Sequence, residues 1–256
     1  MRRRSLFAVL AVSVLLTLSG GLPARAVVNG SAAQPNEFPF MASIQDTTGF
    51  AFCGGSVIAA RWILTAAHCV ETEKVENLQV VTGRTDLSDT STGQVLAVTE
   101  IHVHPGYQGN GFDAALLKLA SPTTSPAIKL AGSADDDLEA AGTPVTVAGW
   151  GDTLPTLGLF STNELQYTNL NVVSDDDCAL PNPGFDAPTG VCAAEFLTDS
   201  CNGDSGGPLW ALKSGARIQI GIVSYGNSCA VPESPGVYSE VNNPSIRSFI
   251  SGFAGV

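Results

Sequence analysis

Residues 200–209 read Ser-Cys-Asn-Gly-Asp-Ser-Gly-Gly-Pro-Leu, one carboxylate and one central hydroxyl set among three glycines. A serine hydroxyl is a weak nucleophile near neutral pH and needs a base that takes its proton as it attacks. Histidine is the side chain whose ordinary pKa suits that task. The chain has three, His68, His102 and His104, and all precede Ser205. Gly203–Gly207 satisfies G-x-S-x-G, but in α/β-hydrolases with that pattern the histidine follows the serine. His68 sits in Leu-Thr-Ala-Ala-His-Cys, a mostly small and apolar stretch with Cys69 placed to pin it. His102 and His104 alternate within Glu100–Pro105 and share a strand face. That spacing could chelate a metal, and a surface strand is the plainer reading. A base also needs a carboxylate that holds its tautomer and stabilises its charged form. Most aspartates between His68 and Ser205 lie in polar clusters such as Asp135-Asp136-Asp137, whereas Asp113 is the lone acid in Phe-Asp-Ala-Ala-Leu-Leu. Burying an unpaired carboxylate is costly, so Asp113 requires a companion, and His68 is the obvious one.

The elements that must position these groups read as strands. Segments rich in β-branched and apolar residues recur at 40–44, 56–58, 78–82, 95–103, 115–119, 145–148, 170–173, 218–224 and 237–241, separated by Gly, Pro, Asn and Asp. Many short strands between turn signals predict an all-β sandwich or barrel. One helical turn is expected at 66–70, and Asp175-Asp176-Asp177 favours a helix N-terminus. Asn243 can cap a final helix, Pro244 suits its first turn, and Ile246, Phe249, Ile250 and Phe253 form one apolar stripe. Ser121–Pro126 reads as a linker between two strand-rich halves.

The N-terminus predicts export. Arg2, Arg3 and Arg4 precede an apolar run from Leu6 to Leu18, and Ala24-Arg25-Ala26 offers a small-residue cleavage site. The run is shorter than the ~20 residues a membrane span needs, so residues 1–26 read as a signal peptide and the mature form as secreted, extracellular and free of the membrane. Those residues hold four of the 12 basic side chains and none of the 24 acids, so the net charge of −12 becomes −16 in the remainder. Such a chain repels phosphates and is no nucleic-acid binder. Six cysteines, all after residue 26, suggest three disulfides in an exported protein. With no C-x-x-C and only three histidines, no zinc site or other metal is expected.

The order His68, Asp113, Ser205 resembles that of the trypsin-like serine proteases of the chymotrypsin family. The resemblance runs from 27 to about 250 and rests on Val-Val-Asn-Gly at 27–30, Thr-Ala-Ala-His-Cys at 65–69, Asp-Ala-Ala-Leu-Leu at 113–117, Gly-Asp-Ser-Gly-Gly-Pro at 203–208 and Ser-Tyr-Gly at 224–226. It implies two antiparallel six-stranded β-barrels, about 27–125 and about 126–243, with the active site between them and a short C-terminal helix at about 244–253. It implies a monomeric endopeptidase without cofactors that cuts protein or peptide substrates after Arg or Lys through an acyl-enzyme. Ser205 is then the nucleophile, His68 the base and Asp113 its orienting acid. The amides of Gly203 and Ser205 form the oxyanion hole. Asp199 becomes the acid at the base of the specificity pocket, with Ser200, Ser224, Gly226 and Gly236 as further substrate-binding positions. Asp204 would pair with a new α-amine on Val27. Signal-peptidase cleavage after Ala26 would expose that amine directly, while removal of a short propeptide by another protease is the alternative. The implied disulfides are Cys53–Cys69, Cys178–Cys192 and Cys201–Cys229.

The chain departs from the family pattern in several places. Tyr225 stands where tryptophan is commoner, and Ser228 replaces a frequent glycine at the pocket rim. Arg84 occupies the place of the first calcium-loop glutamate, so no calcium site of that kind is expected. Two other readings remain open: a different protease specificity, which Asp199 opposes, and an inactive binding protein, which the presence of His68, Asp113 and Ser205 opposes.

Overall fold

The computed structural model describes residues 27–152, 161–231 and 233–256; the expected signal peptide at 1–26 lies outside them. Strand β1 (Ser31–Ala32) is short, and the next six strands close a first barrel. These are β2 (Met41–Asp46), β3 (Ala51–Ala59), β4 (Trp62–Thr65), β5 (Leu78–Thr82), β6 (Gln94–Val103) and β7 (Ala115–Leu119), paired antiparallel in the order β2-β3-β4-β7-β6-β5. Closure leaves no unpaired sheet edge. The barrel interior holds Ile44, Val57, Ile63, Leu64, Val80, Leu117 and Leu119, all buried.

The second barrel follows β8 (Lys129–Leu130) and consists of β9 (Pro144–Gly149), β10 (Gln166–Val173), β11 (Gly190–Ala194), β12 (Pro208–Lys213), β13 (Ala216–Tyr225) and β14 (Gly236–Glu240). The ring β9-β10-β11-β14-β13-β12 closes through antiparallel pairs, with β8 added in parallel against β13 and β1 against β10. β10 shows why these residues make strands: Gln166, Thr168, Leu170 and Val172 are buried, and the residues between them are more exposed. Its inward side chains meet Val145, Val147, Val191, Leu209, Ile220 and Tyr238. Helix α1 (Asp175–Ala179) is capped by Ser174, whose Oγ accepts from the Asp177 amide at 3.2 Å. Helix α2 (Pro244–Ala254) is capped by Asn243, which accepts from the amides of Ser245 and Ile246.

The first and last described segments cross between the barrels. Residues 28–32 pair with the second barrel, through Val28 with Asp199 and Ser31 with Tyr167. Ile246 and Ile250 of α2 join the core of the first. The barrels also meet through Ser56, whose hydroxyl donates to Gln219 Oε1 at 2.7 Å in a buried contact. His104 differs from the surface position expected of it. It lies just past the end of β6, where strand alternation no longer applies, and is only 3% exposed.

Candidate active site

The seam between the barrels collects the groups singled out from the sequence. At the end of β4 the buried Ala66 and Ala67 lead into one 3-10 turn over Ala67–Cys69, which presents His68 at the surface of the first barrel. A disulfide from Cys69 to Cys53 ties that turn to β3. Asp113 precedes β7 and is 3% exposed. Its Oδ2 lies 2.7 Å from His68 Nδ1, and its Oδ1 accepts from the His68 amide at 2.9 Å. Ser224 Oγ donates to Oδ2 at 2.5 Å. Burial pulls this carboxyl's pKa upward, but the hydrogen bonds and charge of His68 and the Ser224 hydroxyl outweigh it, and the net shift is down. An ionised carboxylate on Nδ1 leaves His68 Nε2 as the nitrogen able to accept a proton.

Ser205 lies in the loop between β11 and β12. Gly203 and Gly206 take φ of +92° and +81°, a region that L side chains rarely adopt. A Cβ on Gly203 would lie 2.9 Å from the Gly151 Cα, and one on Gly206 would lie 2.6 Å from the Gly54 carbonyl oxygen. The loop is otherwise well bonded: Asp204 N–H donates to Cys201 O at 3.0 Å, Gly206 N–H to Val223 O at 2.8 Å and Gly207 N–H to Asp204 O at 2.9 Å. Gly54 N–H donates to Ser205 O at 2.7 Å and locks the loop to the first barrel. Among the described residues the amides of Gly203 and Ser205 have no protein acceptor. Cys69 Sγ is 3.7 Å from both His68 Nε2 and Ser205 O, so it contacts the imidazole on one side and the serine backbone on the other. Among the described residues no hydrogen bond joins His68 Nε2 to Ser205 Oγ in this conformation.

A cavity of about 440 Å³ opens beside Ser205 and is lined by the buried Asp199 and Gly236 and the exposed Gly226. The Cys201–Cys229 disulfide joins its two walls. Asp199 is 5% exposed; Ala230 N–H donates to its Oδ2 at 3.3 Å and Ser200 Oγ to its Oδ1 at 3.5 Å. Burial, with a smaller contribution from the Asp204 charge, pushes its pKa up to about 7. A Cβ on Gly236 would stand 3.1 Å from Asp199 Oδ1, so a side chain there would cover the carboxylate. Tyr225 is half-buried at the wall, and Ser228 is exposed at the mouth.

Asp204 points away from this cavity and is completely buried. Its oxygens accept from Gly151 N–H at 2.8 Å and Cys201 N–H at 2.9 Å, with no cationic partner among the described residues. Burial pushes its pKa up to about 7. Val27 is also fully buried, and Val28 N–H donates to Asp199 O at 3.1 Å, so residues 27–28 pack against the 199–204 loop. Cys178 and Cys192 form the third disulfide, from α1 to β11. His68 and the sulfurs of Cys53 and Cys69 lie within 4.8 Å of one another. Those sulfurs are bonded to each other and offer no thiolate to a metal. Sequence reasoning missed Gly151 and Ala230, whose amides hold Asp204 and Asp199, because a backbone donor leaves no mark in side-chain composition.

Two closed barrels with such a seam define the chymotrypsin-like fold of serine hydrolases. The family profile described as Trypsin matches residues 27–250, and the chain belongs to that family. It is similar to "Trypsin" of Saccharopolyspora erythraea, at 37% identity over 219 residues covering 84% of this chain and 93% of the relative. It is similar to "Trypsin delta" of Drosophila melanogaster, at 35% identity covering 95% and 97%. "Trypsin-like protease" of Streptomyces glaucescens matches at 38% identity over 91% and 85%. The protein is a trypsin-like serine endopeptidase, a hydrolase acting on proteins or peptides.

Proposed function

We propose that the chain is a secreted endopeptidase that hydrolyses peptide bonds after Arg or Lys through a Ser-His-Asp triad. The observation that carries the specificity is the buried carboxylate of Asp199 at the floor of a cavity whose mouth is Ser205. A guanidinium or ammonium entering that cavity meets an otherwise poorly compensated negative charge.

Ser205 Oγ attacks the substrate carbonyl carbon while His68 Nε2 accepts the hydroxyl proton. Asp113 stays ionised and stabilises the imidazolium on the Nδ1 side. The carbonyl oxygen becomes an oxyanion and accepts from the amides of Gly203 and Ser205, which have no protein acceptor among the described residues. Collapse breaks the C–N bond, and His68 passes its proton to the leaving amine. Water then repeats the sequence on the acyl-enzyme: His68 takes its proton, and Ser205 leaves with that proton restored. The step requires Ser205 Oγ to swing toward Nε2, and such bonds commonly tighten only when substrate binds.

Residues 1–26 act as the export signal and 27–250 as the protease domain. Cleavage after Ala26 frees the Val27 amine, whose partner is Asp204. The buried Val27, and Asp204 without a cationic partner among the described residues, support this reading. The test is a peptide series that differs only before the scissile bond, with Arg, Lys, Phe or Ala. The expected result is cleavage of the Arg and Lys peptides alone; equal cleavage of Phe or Ala rejects the specificity, and cleavage of none rejects the activity.

A further inference from the structure

His104 plays no part in the steps above, yet it is the histidine packed most tightly. Its Nδ1 accepts from Gly106 N–H at 3.1 Å, which places the ring proton on Nε2, 3.2 Å from Ser245 Oγ at the start of α2. Burial lowers its pKa, in keeping with a neutral ring. The ring is therefore clamped at both nitrogens. One face stacks on Phe112, with centroids 4.9 Å apart and planes 7° from parallel, and Phe249 of α2 packs edge-on at 5.1 Å.

Phe112 is the residue before Asp113, and its φ is +47°. An aromatic residue holds such a conformation only when its surroundings over-determine it. The Phe112 carbonyl accepts from Ala114 N–H at 2.7 Å, closing a three-residue turn with Asp113 at its centre, and His104 N–H donates to Ala114 O at 3.0 Å. A Cβ on Gly106 would stand 3.0 Å from Phe112 Cδ2 and 3.2 Å from His104 Nδ1, so the packing closes from that side too. Turning Phe112 to negative φ would rotate the Asp113 carboxylate away from His68.

We propose that His104 is a positioning residue: its clamped ring pins Phe112 in the left-handed conformation and thereby sets Asp113 against His68. This rests on the proposed triad. The reacting bond, the Asp199 cavity and the oxyanion amides are untouched, so the effect falls on turnover rather than binding.

The test is steady-state hydrolysis of an Arg peptide, with rates expressed per active site titrated by a rapidly acylating ester. Wild-type activity on that peptide is the condition for the triad reading, and its absence would sink that reading instead. His104→Ala is expected to lower kcat per titrated site by about 10- to 100-fold, the size of a small misplacement of catalytic groups, with KM within about twofold. In a Phe112→Ala background, His104→Ala is expected to cost nothing further, because no ring remains to be pinned. A residue needed only for folding would reduce the number of titratable sites and leave kcat per site unchanged, which overturns the proposal. Full additivity of the two substitutions, or a loss carried by KM, overturns it as well. If His104→Ala yields no titratable sites, His104→Asn takes its place in the same cycle, keeping an acceptor for Gly106 while removing the stacked ring.

Discussion

Replacing Asp199 with serine is the perturbation whose size follows most directly from the cavity. The carboxylate is 5% exposed and receives two weak donors, so a bound cation is its main compensation. Opposite charges about 4 Å apart interact by about 4 kcal/mol at an effective dielectric near 20. Part of that is lost to stripping water from the substrate cation, and breaking such buried pairs costs about 2–5 kcal/mol. Asp199→Ser should therefore lower kcat/KM for an Arg peptide by about 100- to 1000-fold and leave a Phe peptide unchanged or improved. The same carboxyl supplies a pH arm. Its pKa of about 7 in the empty pocket means that it becomes neutral below that pH. Binding of an amidinium competitive inhibitor should thus be level above about pH 7 and weaken by up to about tenfold per unit below it. In Asp199→Ser that limb should vanish. A variant that keeps the wild-type Arg-to-Phe ratio would refute the reasoning, whatever its absolute rate.

Asp113→Asn should leave KM within a few-fold; the family's own precedent, about 10⁴ in kcat, sets the size expected from steady-state assays. A chain beginning at Val27 should be active, and one that retains Ala26 or carries an acetyl group should be nearly inactive, as compared by mass spectrometry and titrated rates. Pairing with Asp204 would favour the charged form of the proposed Val27 amine and raise its pKa above an unfolded value of about 8. That stabilisation would be complete below the unfolded value and fade as pH climbs through the folded one, so activity should have an alkaline limit, and an acetylated chain, which cannot carry the charge, should be inactive on both sides of it. Glu139, raised to about 8 by burial and by the Glu240 charge, holds its proton in the fold up to that pH, so its favourable contribution is lost between about 4.5 and 8. Glu139→Gln should stabilise the protein at pH 9 by on the order of 1–2 kcal/mol, reduced from the full shift because the group is partly solvated, and do nothing at pH 4 in thermal melts.

Much of the fold was legible because its signals are local. β5 and β7 are apolar runs bounded by turns, and both match the expected limits. The Asn243 cap and Pro244 mark the start of α2. Three barrel strands carry no such mark. Trp62–Thr65 is short and runs straight into the histidine turn, Gly190–Ala194 is built of small residues, and Leu-Trp-Ala-Leu-Lys in β12 has helix-forming composition. They are strands because paired neighbours on both sides satisfy their backbones. The site was legible where chemistry demands an unusual residue: a lone acid among apolar neighbours, or glycines around a hydroxyl. His104 was misread because Phe249, far along the chain, buries it. Asp136 and Asp175, from two separate acidic runs, both act on Glu240, which burial foremost pushes up to about 7, a convergence that only the fold creates. Spacing alone could not pair the cysteines, whose connections depend on which loops the barrels bring together.

The central claim is that Ser205 is the one activated hydroxyl. Treating the active protein with a phosphonylating reagent, with and without a saturating amidinium inhibitor, and mapping the adduct by peptide mass spectrometry tests it most directly. The expected result is one adduct per chain, on Ser205, formed in step with loss of peptide hydrolysis and slowed by the inhibitor. Full loss of activity with Ser205 unmodified, or undiminished hydrolysis by Ser205→Ala, would contradict it.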